Sequence, residues 1–325
     1  MLTVLAGGVG AARFLEGVVQ VVPPATVTAV VNTGDDFVLH GLVISPDLDI
    51  VTCTLADLID REQGWGIAGD TDECMQWLGR LGGPTWFKLG DRDLALHIRR
   101  TALLSEGESL TAIADQFCQA LGVAVKLLPM SDDPAPTHIL TPVGEMHFEE
   151  YFVRRRAQDR VTGVRLHAAG RALPSPDALA ACAEAEAILI APSNPVVSVG
   201  PIVSLPGMRE AIRSARVPVV AVSPIVGGAA IKGPAAPLMQ AMGMEVSALG
   251  VARAYADLID GIVIDQVDAD LAPAIAALGL QVAVTDTIMR GPAEKAHLAA
   301  VTLALADQVR QARHGPAPDA NPGAG

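Results

Sequence analysis

Apolar runs of strand length alternate with longer stretches of helical period along most of this chain. Leu2–Ala6 is unbroken apolar or small, and Gly10–Val22 follows with helical spacing. Thr26–Val31 reads as a second strand, ending in "NTGDD". Further on, Ala187–Ala191 ("AILIA"), Val217–Val222 ("VPVVAV") and Gly261–Ile264 ("GIVI") repeat the theme. Strands without alternation are apolar on both faces, as in a sheet covered by helices on both sides and therefore largely parallel. The pattern predicts an α/β fold with a doubly wound, largely parallel, Rossmann-like sheet.

The middle of the chain breaks the rhythm. Leu94, Ile98 and Leu103, then Leu110, Ile113, Phe117 and Leu121, mark two helices between Asp91 and Leu121. Shorter β-like pieces fill Lys126 to His167 around "SDDPAP". Together they predict a helical and β insertion at about 91–170 within a single domain spanning 1–312. A last helix at about Ala293–Arg313 shows one apolar face through Leu298, Val301, Leu305 and Val309. Residues 313–325 ("RHGPAPDANPGAG") lack core-forming side chains and read as a disordered tail.

Composition narrows the function. The 325 residues are 50% hydrophobic but only 3% aromatic, so small aliphatic side chains must pack the helices onto the sheet. A net charge of −13 argues against a nucleic-acid partner, which needs clustered Lys and Arg. No apolar stretch has the length of a membrane span. With a β-type run directly after Met1, no leader and a cytoplasmic location are expected. The four cysteines form no CxxC pair, so neither zinc nor a redox motif is indicated.

Candidate chemistry collects at the strand ends. "GGVG" after the first strand puts free amides and positive helix-dipole charge at Gly8 and Gly10, where an anion fits. The Walker pattern fails, because Arg13 and Phe14 stand where Lys and Ser/Thr are required. The dinucleotide fingerprint fails too, because Arg13 takes the place of its last glycine. Asp35 and Asp36, in the loop at the end of the second strand, are a repelling pair that either holds a magnesium ion or only caps a turn. Asp47 and Asp49 follow in "SPDLD", where Asp49 also reads as a helix cap. Lys88 precedes "GDRD"; a lysine there either meets an acidic ligand or pairs with an aspartate. Ser193 and Asn194 lie between prolines in "PSNP", either as an Asx turn or as donors to a base or phosphate. Gly227 and Gly228 in "SPIVGG" either admit a ligand to the backbone or only satisfy the loop's angles, with Lys232 nearby. Taken together, these turns describe a cleft with diphosphate-binding loops on one side and cation-binding acids on the other.

From "GGVGAARF" through "NTGDD", "PDLD", "KLGDRD", "LPMSDDP", "APSNPVVSVGPI" and "SPIVGG" to "DTIM", the chain resembles the 2-phospho-L-lactate transferases and their phosphoenolpyruvate-using relatives of coenzyme F-420 biosynthesis. Ile50, after "PDLD", departs from the usual Thr. The resemblance implies a magnesium-dependent transferase. Its donor is a guanosine diphosphate carrying a lactyl, enolpyruvyl or glyceryl group on its outer phosphate. Its acceptor is 7,8-didemethyl-8-hydroxy-5-deazariboflavin, whose terminal ribityl hydroxyl attacks the outer phosphorus and releases GMP. By the family pattern Asp49 and Lys88 contact the deazaflavin. Gly8, Gly10, Ser193, Asn194, Gly227 and Gly228 face the nucleotide. Asp36 and Asp49 are expected to serve catalysis and hold magnesium, with Asp35 a further ligand; Asp49 is alternatively the general base. Trp65 can stack on the planar deazaflavin. A homodimer is expected from the family. A rival reading is a nucleotide-sugar-binding regulator of related fold; the "PDLD" and "KLGDRD" blocks speak against it. Another is a dinucleotide oxidoreductase, disfavoured by the missing glycine. Which three-carbon acid the donor carries is open.

Overall fold

A computed structural model describes residues 1–167 and 172–314. Seven parallel strands form the central sheet: β1 (Leu2–Ala6), β2 (Val27–Val31), β3 (Lys126–Pro129), β4 (Ala187–Ile190), β5 (Val219–Val222), β6 (Gly261–Asp265) and β7 (Gln281–Thr285). Their order is β7-β6-β5-β4-β1-β2-β3, with Val4 beside both Ala29 of β2 and Leu189 of β4. The chain winds outward one way from β1 and then returns to wind the other way. The switch point falls between β1 and β4, where open sheets of this kind leave a crevice at the carboxyl ends.

Alternate strand residues serve two cores. Leu5, Val30, Ile188, Ala221 and Ile262 pack on one side with the helices of residues 176–214 and 248–255. Val4, Ala29, Leu189, Val220 and Val263 pack on the other, against α1 (Gly8–Val21) and the last helix, Pro292–His314. This two-sided burial follows from the period of two along a strand, and it is why β1, β2, β4, β5 and β6 carry no exposed residue.

The segment expected as an insertion at 91–170 divides. The helix Leu110–Leu121 leads into β3, which pairs with β2 through Ala29 and Leu127 and so belongs to the main sheet. His138–Thr141, Gly144–His147 and Gly163–Arg165 form a separate three-stranded antiparallel sheet. The edge strand β7 is only half buried, and its "QVAVT" lacks the strong apolar signature of the others. The last helix runs through residues 313 and 314; the remainder of the expected tail lies outside the described residues.

Candidate active site

The first glycine turn begins with Gly7 extended and Gly8 at φ +69°, a backbone angle that favours glycine. Gly10 lets the start of α1 approach the loop after β4, because a Cβ there would lie 2.4 Å from the Pro192 carbonyl oxygen. Ser193 Oγ donates to the Gly7 carbonyl at 2.8 Å and ties the two loops together. Asp47 lies against this turn: a Cβ built on Gly7 would be 3.2 Å from its Oδ2 and one on Gly8 3.5 Å from its Oδ1.

Asp47 sits in α2 (Pro46–Leu55), whose Pro46 occupies the first turn, where a missing N–H costs nothing. Asp49 was expected as the cap of this helix. Ser45 instead holds the N-cap position, and its hydroxyl donates to Asp36 Oδ2 at 2.7 Å. Asn32, fully buried at the end of β2, is the hub beneath. Its Nδ2 donates to Asp47 Oδ2 at 2.9 Å and to the Val197 carbonyl at 3.3 Å, and its Oδ1 accepts from Gly34 N at 2.9 Å. Three strand ends are thus locked into one floor.

Carboxylates crowd on this floor. Asp35, Asp47 and Glu149 are buried, and burial is the chief cause that pushes all three up, Asp47 to about 6 and Glu149 to about 8. The charges of Asp47, Glu149 and Asp36 add to the effect on Asp35. Asp36 is raised mainly by burial, against the Ser45 hydrogen bond and the nearby Arg100. One oxygen each of Asp35 and Asp36, together with the hydroxyls of Thr33 and Thr137, is buried without a hydrogen-bond partner. Acceptors left bare in this way are costly unless a cation or donor joins them.

Asp49 has a different partner. Arg100, 2% exposed, holds both Asp49 oxygens, Nη1 at 3.1 Å from Oδ2 and Nη2 on Oδ1. Nη1 also donates to the Val43 carbonyl at 3.3 Å and to His97 Nδ1 at 3.2 Å. His97, lowered to about 4 mainly by burial, is neutral and accepts from Arg100. Both come from α3 (Asp91–Ser105), where Ile98, expected on the buried face, is 56% exposed. That helix buries Leu94 and Leu103 as expected and turns His97 and Arg100 inward between them to meet Asp49, so its inner face is mixed where a wholly apolar stripe was expected. The Arg100 guanidinium also lies over Phe117, 5.7 Å from the ring centre.

Other expected residues are placed as follows. Asn194 Oδ1 accepts from Val196 N at 2.9 Å and from Val197 N at 3.4 Å, an Asx turn. Its Nδ2 has no partner among the described residues. Gly227 and Gly228, at φ +59° and +77°, form the two-residue turn of a hairpin between Ile225–Val226 and Ala229–Ala230. The Gly227 N–H is taken by Asp268, so the need for positive φ accounts for both glycines without a ligand. Lys88 is exposed, and Trp65 is 42% exposed on the loop after α2. Sequence reasoning missed an aromatic wall beside Asp36. Phe37 lies 5.7 Å from Trp86, 5.0 Å from Phe87 and 5.5 Å from His147, and His147 Nε2 donates to the Asp36 carbonyl at 3.1 Å. It also missed Asn32, Arg100, His97 and Glu149, each of which meets an aspartate, Asp47 or Asp49, that is 15 or more positions away in sequence. A cavity of about 590 Å³ runs along α1 from Val9 past Arg13 and Glu16, with Ile50 and Thr54 of α2 on its far side; the acidic floor does not line it.

A model of the family described as 2-phospho-L-lactate transferase CofD matches residues 2–296. The chain belongs to that family. It is 44% identical to a phosphoenolpyruvate transferase of Streptomyces coelicolor over 96% of this chain and 99% of that one. It is 41% identical to a 2-phospho-L-lactate transferase of Methanosarcina mazei, covering 93% and 99% respectively. Family membership makes the chain an enzyme of the transferase type, and the matches give the regulatory reading no support. A solved structure from Bacillus halodurans, of the UPF0052 family, has the same fold at a TM-score of 0.62 and 17% identity, covering 93% of this chain and 98% of that one. Among the described residues no helix is long and apolar enough to cross a membrane.

Proposed function

We propose that the chain transfers a phospho-lactyl, phospho-enolpyruvyl or phospho-glyceryl group from a guanosine diphosphate-linked donor to the ribityl hydroxyl of 7,8-didemethyl-8-hydroxy-5-deazariboflavin, releasing GMP. It does so as a homodimer in the cytoplasm. The observation that carries this reading is the acidic floor at the switch point. Asp35 and Asp36 there each leave one buried oxygen bare, and Asp47 of the same group lies against the glycine turn that Ser193 ties to the loop after β4.

Those bare oxygens fit magnesium. Among the described residues no three His, Cys, Asp or Glu side chains come together as a metal-binding group. Magnesium usually takes one or two carboxylates and fills its shell with water and substrate phosphates, so a pair suffices. Asp36 and Asp35 are the proposed ligands, with Asp49 available only if it turns from Arg100. When bound, the ion neutralises charge on the diphosphate.

The chain's own residues orient the reactants, which is most of what phosphoryl-type transfer requires. Asn194 Nδ2 and the amides of the glycine turn are donors for the nucleotide. Lys88 and the wall of Phe37 and Trp86 suit the hydroxyl-bearing deazaflavin ring, and the exposed Trp65 offers a further stacking face. Asp49, with both oxygens on Arg100, keeps a lone pair on each to accept the ribityl hydroxyl and aim it. Asp49 is then also the acceptor for the ribityl proton, because Asp36 Oδ1 is committed to the ion and a metal-bound carboxylate is a poorer base. The test is incubation with deazaflavin, magnesium and each of the three donors, followed by mass analysis. One donor should give the phosphodiester adduct with GMP in equal amount; no adduct with any donor refutes the reading. Asp49→Asn should abolish turnover while GDP affinity stays within about threefold.

A further inference from the structure

Arg13 interrupts both phosphate-binding patterns in the first turn, and Lys232 lies in a loop more than two hundred residues later. The fold brings them together. Gly64, on the loop after α2, marks the meeting point: a Cβ built there would lie 2.9 Å from Arg13 Nη2 and 3.5 Å from Lys232 Nζ. Two cations against one point repel, and neither has a carboxylate partner among the described residues. Glu16, one turn further along α1, is already engaged by Arg61 at 3.1 Å and by Lys295. Lys232 is lowered by partial burial and then by the charge of Arg13, as expected where no anion offsets the pair. Arg13 lines the cavity along α1 together with Val9, one turn before it, and Gly64.

We propose that Arg13 and Lys232 form a two-cation clamp for a phosphate or carboxylate oxyanion of the nucleotide donor, beside Gly64 in the wall of the cavity along α1. The clamp supplies from two distant segments the cation that a Walker loop would carry within itself. Arg13 offers a planar fork matched to oxyanions, and Lys232 a compact charge from the opposite side. Gly64, at φ +72°, needs glycine for its backbone angle, and its lack of a side chain leaves open the space where the cations converge. This proposal rests on the nucleotide reading above and adds the residues that grip the anion.

The test is calorimetric titration of GDP, GMP, inorganic pyrophosphate and the intact donor into the wild type, Arg13→Gln, Lys232→Gln and Lys232→Glu, with magnesium present. Loss of one charge-assisted contact should weaken binding about tenfold or more, and charge reversal about a hundredfold. Weakening of both GDP and pyrophosphate assigns the clamp to the diphosphate. Weakening of the intact donor alone assigns it to the carboxylate of the three-carbon acid. Unchanged affinity, within about twofold for every ligand in all variants that keep the wild-type unfolding transition, overturns the clamp. Lys232 is exposed, so its variants keep the test valid if Arg13→Gln fails to fold. Failure of the wild type to bind GDP, with pyrophosphate still bound and weakened in the variants, overturns the nucleotide reading and leaves the clamp standing.

Discussion

Arg100→Met tests whether Asp49 depends on its buried partner. In the wild type the guanidinium is 2% exposed and engages both Asp49 oxygens, the Val43 carbonyl and His97. Removing it leaves a carboxylate whose side chain is only 15% exposed without a counter-charge. Breaking one side of a buried pair costs about 3–5 kcal/mol, a large share of the roughly 5–15 kcal/mol that stabilises a typical domain. Asp49→Leu should cost a similar amount by stranding Arg100. The double variant, with apolar side chains of matching size, should be markedly less destabilised than the sum of the two. Urea unfolding of all four proteins gives the coupling directly, provided the denaturant slope is unchanged. Arg100→Lys keeps the charge but loses the fork, and should recover only part of the stability. If Arg100→Met costs less than about 1 kcal/mol, or the two single effects simply add, the pair is not a buried unit and the orienting role given to Asp49 falls.

Three further predictions follow from the packing and the buried charges. Gly17→Ala places a Cβ 2.1 Å from the Lys295 carbonyl oxygen, forcing α1 and the last helix apart; urea unfolding should show a loss of about 1–3 kcal/mol or more, and an unchanged midpoint would contradict that contact. His97 and His147 are both lowered to about 4, chiefly by burial, so the unfolded chain binds more protons as pH falls; stability should drop by about 2 kcal/mol per histidine between pH 6.5 and 5, and Phe or Gln at both positions should flatten that slope. Glu149, raised to about 8 mainly by burial, has the opposite sign: the folded form holds its proton longer than the unfolded, so stability declines from about pH 4.5 to 8. Glu149→Gln should exceed the wild type by more than about 1 kcal/mol at pH 9 without magnesium, and equal curves at both ends would refute it.

The architecture was legible because it is written locally. A strand buried on both faces must be apolar throughout, and β1, β2, β4, β5 and β6 are. The glycines after β1 and the acids after β2 also stood where a doubly wound sheet presents its ligand edge. β7 escaped notice because a half-buried edge strand has little reason to be apolar. What lay beyond the sequence pattern is which polar groups meet. Asn32 with Asp47 and Val197, Arg100 with Asp49, and Arg13 with Lys232 join segments whose spacing follows no period, so no local regularity marks them. The same pattern could not say that Asp47 lies against the first glycine turn, nor that Gly227–Gly228 closes a hairpin. Periodicity records which face of an element is dry. Which charges share that dry space, and which of them lack a partner, is decided only when the chain closes on itself.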